Sequence, residues 1–162
     1  MYKVAIITAS DKGYASERED KSGSVIEEIV TAHELEVTGK VILPDDRQML
    51  SDQMLNYCHQ GIDLILTTGG TGFSKRDVTP EATADIVERR ADNLTFAMIA
   101  NSLQYTPKAM LSRGIAGIRE NTLIVNLPGS PKAVRENLEY AIDAIIHGVK
   151  ILKGDDAECA RK

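Results

Sequence analysis

Apolar residues fall along the chain in short runs of strand length that alternate with stretches of helical spacing. Lys3 to Ala9 is a continuous apolar run, the pattern of a strand buried on both faces. Lys12 to Asp20 is polar, contains Gly13 and reads as a loop. Val25, Ile26, Ile29 and Val30 then recur at helical spacing, with Ser22 or Ser24 as the N-cap. Val37 to Leu43 predicts a second strand. Asp46 to Gln60 predicts a second helix, with Met49, Leu50, Gln53, Met54 and Tyr57 on one side and Gly61 closing it. Ile62 to Thr67 is a third apolar strand, and it runs straight into Gly69-Gly70-Thr71-Gly72.

Three dipeptides of hydroxyl residue and proline organise the second half: Thr79-Pro80, Thr106-Pro107 and Ser130-Pro131. Each pairs a capping side chain with a proline whose missing N–H would have no partner in a first helical turn. The first predicts a helix from Thr79 to about Arg89, the second a short helical turn. The third opens the clearest helix in the chain, with Val134, Leu138, Ala141, Ile142, Ile145 and Val149 on one stripe. A further helix is expected over Leu94 to Leu103. Ile115 to Arg119 and Thr122 to Leu127 read as a hairpin turning at Glu120-Asn121. The succession predicts an α/β domain over residues 1–152, with a mostly parallel, mixed sheet and helices on both faces. Lys153 to Lys162 reads as a charged, frayed tail.

Composition narrows the functions. A net charge of −5 argues against nucleic acid as a partner, because such binders present a basic face. A phosphorylated small ligand stays open, since backbone N–H groups bind phosphate locally. Cys58 and Cys159 form no C-x-x-C pair and suit a reducing cytoplasm. No run approaches the roughly 18 apolar residues of a membrane span, and the opening Tyr2 to Ile7 is too short for a secretion signal.

In open α/β sheets ligands bind beyond the carboxyl ends of strands. The loops there begin at Ser10-Asp11, at Thr67-Thr68 and at Asn126-Leu127. Gly69 to Gly72 reads either as a backbone cradle for an anion or as a tight turn. Asp77 either holds Mg²⁺ against a polyphosphate or complements the dipole of the helix it precedes. Of Asp45 and Asp46, one caps the next helix and the other offers a second acid. Ser112 and Arg113 are open to ligand or structural roles, and Ser130 to capping or anion binding. His33, His59 and His147 lack metal-ligand spacing. No nucleophile–base pairing suggests covalent catalysis.

Thr67-Thr68-Gly69-Gly70-Thr71-Gly72-Phe73 and Arg76-Asp77-Val78-Thr79-Pro80-Glu81-Ala82-Thr83 resemble the signature of the molybdenum-cofactor biosynthesis family of MogA/MoaB type. So do Leu111-Ser112-Arg113-Gly114 with Ala116 to Arg119, and Asn126 to Pro131. Ser10-Asp11 and Asp20-Lys21-Ser22-Gly23 resemble its N-terminal pattern. The resemblance spans nearly the whole chain in order. It implies a three-layer α/β/α domain, a homotrimer and other cofactor-biosynthesis proteins as partners. It also implies molybdopterin adenylyltransfer, in which the terminal phosphate of molybdopterin attacks the α-phosphorus of ATP with Mg²⁺ assisting. On this resemblance Asp45 and Asp77 are the catalytic, metal-holding acids, and Gly69, Gly70, Thr71 and Gly72 form the phosphate loop. Ser102, Ser112 and Asn126 match molybdopterin-binding positions, with Pro128, Gly129 and Ser130 lining the same pocket. A non-catalytic molybdopterin-binding or scaffold protein is the alternative within the family.

Overall fold

The continuous apolar runs become strands because helices cover both faces of each. In the computed structural model, which describes residues 1–155, the elements are β1 (Lys3–Ala9), α1 (Asp11–Tyr14), α2 (Lys21–Ala32), β2 (Glu36–Leu43), α3 (Arg47–His59), β3 (Leu64–Thr68) and α4 (Thr79–Ala84). After these come β4 (Arg89–Arg90), α5 (Asp92–Ser102), a 3-10 turn (Pro107–Leu111), β5 (Ala116–Arg119), β6 (Thr122–Leu127) and α6 (Pro131–Lys153). The sheet order is β2-β1-β3-β6-β5-β4. β2, β1, β3 and β6 run parallel, while β5 and β4 add antiparallel pairs at one side.

Alternate residues of each central strand feed two cores. Val4, Ile6, Leu64, Leu66, Leu123 and Val125 pack with Ile26 of α2, Met98 of α5, and Val134, Leu138, Ile142 and Ile145 of α6. Ala5, Ile7, Ile65 and Ile124 pack with Leu50, Met54 and Tyr57 of α3 and Ala82 of α4. The result is a three-layer α/β/α fold with a mixed, mostly parallel sheet. The expected stripe of α6 is buried throughout. Among the described residues no helix is long and apolar enough to cross a membrane.

Several local expectations are corrected. The polar stretch after β1 opens with one helical turn, α1, because Ser10 accepts a hydrogen bond from the Gly13 N–H at 3.0 Å. The cap of α2 is Asp20, whose carboxylate accepts from the Gly23 N–H at 2.9 Å; Ser22 and Ser24 lie inside the helix. In α3, Ser51 and Cys58 are buried beside Leu50, Met54 and Tyr57, whereas Met49 is 38% exposed. Thr79 is the first helical residue of α4 and not its cap, and α4 stops at Ala84. The chain leaves that helix because Glu88 and Ala91 donate backbone bonds to Ile118 and Ala116, which turns Arg89–Arg90 into an edge strand. Lys153 is the last residue of α6, capped by a left-handed Gly154. Residues 156–162, with Cys159, lie outside the described residues.

Asn126 braces the middle of the sheet. Its amide N–H₂ donates to Thr67 and Thr83 at 3.0 Å each, and its carbonyl accepts from the Ile115 N–H at 3.1 Å. It is 3% exposed, so its loss strands buried polar partners. Asn126→Ala is expected to cost about 2–4 kcal/mol in urea unfolding. A loss under roughly half a kcal/mol would show that the brace is dispensable.

Candidate functional site

Four parallel strands end on one edge of the sheet, so the loops after β1, β2, β3 and β6 meet there. The loop after β3 passes through the centre. Gly69 (φ +89°) and Gly70 (φ +68°) are left-handed. A Cβ at Gly69 would strike the Ala9 carbonyl, and one at Gly70 would strike the Thr79 hydroxyl. Glycine is therefore required twice over, by conformation and by space. The Thr79 N–H donates to the Gly70 carbonyl at 3.1 Å, tying the loop to α4. The loop's far end closes on itself: the Asp77 N–H donates to the Ser74 carbonyl at 2.9 Å, and the Ser74 N–H to the Asp77 carboxylate at 3.0 Å.

The two expected acids stand on neighbouring loops. The Asp11 N–H donates to Asp45 Oδ2 at 3.1 Å, and the Asp45 N–H returns the bond to Asp11 Oδ1 at 3.0 Å. Arg76 holds Asp11 bidentately at 2.9 and 2.8 Å. The Arg76 bonds and the Asp45 N–H keep the Asp11 carboxyl below the usual range. Asp45 moves the other way: burial pushes its pKa up, and the nearby Asp11 and Asp77 charges add to the rise. Asp45 Oδ1 is buried and meets no hydrogen-bond donor. Asp46, the other candidate after Pro44, is the helix cap, accepting from the Met49 N–H at 2.8 Å.

The loop after β6 is pinned from both sides. Thr68 donates its hydroxyl to the Pro128 carbonyl and Ser22 to the Gly129 carbonyl, each at 2.6 Å. Ser130 caps α6 through the Ala133 N–H at 3.1 Å. Two cavities flank this loop and the glycine loop. The larger, about 790 Å³, is bounded by Arg18, Asp20, Lys21, Asp45 and Gly69. The smaller, about 540 Å³, is bounded by Thr71, Ile99, Ser102, Leu111, Ser112 and Asn137. Gly70, Asp77, Gly129 and Ser130 line both and form the wall between them.

The structure thus brings together Asp45, Asp77, Gly69, Gly70, Gly129 and Ser130 at the larger cavity. Thr71, Gly72, Ser102, Ser112 and Pro128 meet at the smaller. Asn126 lines neither, because its amide is committed within the sheet. Arg113 also turns away: its guanidinium is bonded to Gly72, Asp77 and Glu81. Sequence reading missed Arg18, which sits in a run of mixed charge without a motif, and gave Lys21 no role although it lies in the Asp20-Lys21-Ser22-Gly23 motif. It missed Asn137 as well, which accepts from the Ser102 hydroxyl at 2.5 Å. Asn137 carried a signal, being a polar residue beside Val134 and Leu138 on the buried face of α6.

Among the described residues no three His, Cys, Asp or Glu side chains converge on one point, so no all-protein metal cage exists. Mg²⁺ does not need one, since it takes one or two carboxylates and completes its shell with water and phosphate oxygen. Asp45 and Asp77 fit that requirement: Asp45 presents a buried oxygen without a donor and carries a charge that burial disfavours. A carboxyl raised in the folded state destabilises the fold once pH climbs past its ordinary value toward the raised one. Asp45→Asn is therefore expected to raise the melting temperature of the ligand-free protein by roughly 1–3 °C at neutral pH. The gain should vanish below the ordinary Asp value of about 3.9. An unchanged or lower melting temperature at neutral pH by calorimetry would contradict this account.

Comparison with known proteins places the fold in a family. The family described as a probable molybdopterin binding domain matches residues 5–147. The gephyrin of Dictyostelium discoideum is 40% identical over 92% of this chain, which spans only 22% of that protein's length. The molybdopterin adenylyltransferase of Helicobacter pylori is 37% identical over 94% of this chain and 88% of its own. The crystal structure of the molybdopterin biosynthesis enzyme MoaB from Thermus thermophilus superposes with a TM-score of 0.90 at 42% identity, covering 95% of this chain and 98% of that one. The chain belongs to the MogA/MoaB family of molybdopterin-binding proteins of molybdenum-cofactor biosynthesis.

Proposed function

We propose that this chain is a molybdopterin adenylyltransferase, working as a single domain over residues 1–152. The observation that carries the reading is the shared wall of Gly70, Asp77, Gly129 and Ser130 between two cavities. A transfer between two phosphorylated substrates needs such a junction, with both held so that their phosphates meet. The larger cavity suits ATP. Arg18 and Lys21 supply positive charge there, and α2 and α6 both begin at its wall, with helix dipoles favouring anions. The smaller suits the pterin. Ile99, Leu111 and Ala133 offer apolar contact, while Ser102, Ser112 and Asn137 offer hydrogen bonds to ring edges.

In the proposed reaction the terminal phosphate oxygen of molybdopterin attacks the α-phosphorus of ATP, and pyrophosphate leaves. Mg²⁺, when bound by Asp45 and Asp77, neutralises charge developing on phosphate oxygens. The chain itself supplies position. The Gly69–Gly72 backbone lets phosphate approach closely, and Ser130 fixes the start of α6 beside it. No protein nucleophile is required. A homotrimer and a cytoplasmic location belong to the same reading. Phe96, Leu103, Tyr105 and Met110 are exposed and supply apolar surface for copies to associate.

A second reading, a molybdopterin-binding or scaffold protein without transfer, is favoured by relatives in which this unit is a small part of a larger protein. Incubation with molybdopterin, ATP and Mg²⁺ separates the two. Adenylylated molybdopterin and pyrophosphate are expected, and their absence leaves only the binding reading. Asp77→Asn should lower kcat on the order of 10²-fold or more, with molybdopterin affinity changed by less than about threefold. Equal turnover would remove Asp77 from the chemistry. Mg²⁺ affinity should weaken as pH falls through the raised Asp45 value, above the usual carboxylate range of about 3.9. Magnesium titrations across mildly acidic pH check this, and a flat profile counts against Asp45 as a ligand.

A further inference from the structure

We propose that Arg113 is a positioning residue for this site: it holds the Thr71-to-Asp77 loop, and Asp77 with it, without touching either substrate. The kinetic part of the proposal rests on the adenylyltransfer reading; the structural part does not.

Arg113 reaches the loop at both ends. Its backbone N–H donates to the Thr71 carbonyl at 2.8 Å. Its Nε donates to the Gly72 carbonyl and its Nη2 to the Asp77 carbonyl, each at 2.8 Å. Nη1 donates to the Glu81 carboxylate at 2.6 and 3.1 Å, on the first turn of α4. One planar group therefore ties the start of the loop, its end and the following helix to the segment that leads into β5. The stretch from Gly69 to Val78 belongs to no strand or helix; besides this clamp it is tied outward by the Thr79 N–H at Gly70 and by Arg76 on the more exposed Asp11. Neither Arg113 nor Glu81 lines either cavity.

The geometry requires arginine. A guanidinium carries five N–H donors in a fixed fork, whereas a lysine ammonium is a compact point charge. Lysine at 113 would keep the attraction to Glu81 but could not reach Gly72 and Asp77 in two other directions. The Asp77 carboxylate sits on the shared wall, and a misplacement of about 1 Å there is enough to cost on the order of 10²-fold in rate.

Arg113→Lys and Glu81→Gln in the full chain test the proposal by three readouts. Amide hydrogen exchange over residues 70–78 should accelerate at least about tenfold in Arg113→Lys, with β1 and β3 unchanged. Mn²⁺ binding in the presence of ATP, read by electron paramagnetic resonance, should weaken by roughly tenfold. The kcat for adenylyl transfer should fall on the order of 10²-fold, far more than any rise in KM for ATP. Glu81→Gln should show the same pattern more weakly. An ion pair serving stability alone would be rescued by lysine, leaving metal affinity and kcat at wild-type values; that outcome overturns the proposal. Unchanged exchange over residues 70–78 overturns it too. If the wild-type protein forms no adenylylated product, the reaction reading fails by itself, and exchange with Mn²⁺ binding still decides the role of Arg113.

Discussion

At Gly69 and Gly70 the backbone runs so close to the Ala9 carbonyl and the Thr79 hydroxyl that no side chain fits. This crossing sets the layout of the site. Because the chain passes under the ends of β1 and α4 there, the loop lies between two cavities and does not fold over one of them. The neighbouring loops then have fixed distances to span. Thr68 and Ser22 pin the Pro128–Gly129 backbone by their hydroxyls, and Asp11 and Asp45 each donate a backbone N–H to the other's carboxylate across the other side. Nearly all of these ties are side chain to backbone. Such bonds define a loop edge that lacks any hydrogen-bonded ladder.

Charge at this edge is arranged unevenly. Asp11 is neutralised by Arg76 and accepts the Asp45 N–H, so it is stabilised as a carboxylate. Asp45 shares the same corner but is half-buried, with Asp11 and Asp77 as negative neighbours. Arg76 offsets only part of that repulsion. An acid held in this way gains more from a cation than an exposed acid does, because the cation replaces solvent it has lost. The ligand-free fold tolerates the charge because Asp45 Oδ2 and its own N–H are both satisfied by Asp11. Asp11 is thus part of the support of the acid, although it carries no metal in the proposed reaction.

Much of this was legible in the sequence, and the exceptions have physical causes. The central strands and α6 were readable because burial on both faces, or along one stripe, leaves an unmistakable apolar pattern. The Ser130-Pro131 signal held because nothing else competes for Ser130. Thr79-Pro80 carries the same local signal and fails, because the Thr79 backbone is already helical and Val78 takes the cap position without a side-chain bond. The early end of α4 and the strand at Arg89–Arg90 depend on pairing with β5, a contact no local window contains. Most site residues on motifs were found; Arg18 and Asn137, outside the motifs, and Lys21, inside one, were not, because their roles arise only when distant loops meet. Asn126 shows the converse. Its motif lies at the site, but its amide serves the sheet.

Three buried side-chain atoms among the described residues meet no hydrogen-bond partner: Asp45 Oδ1, Thr79 Oγ1 and Arg119 Nε. The first two both face the position a side chain at Gly70 would fill. A buried polar atom without a partner costs on the order of 1–3 kcal/mol, and folded proteins carry few of them. Their pairing at one glycine is therefore a local departure from what stability alone would select. The surrounding structure can hold it because both cores are closed and the loop is clamped by Arg113 at two carbonyls. In the proposed reading a cation held by Asp45 would give Oδ1 the partner that it lacks, so the fold would gain there from the ligand that the reaction requires. A more stable arrangement, with both oxygens bonded within the protein, would have less to gain from the same ligand.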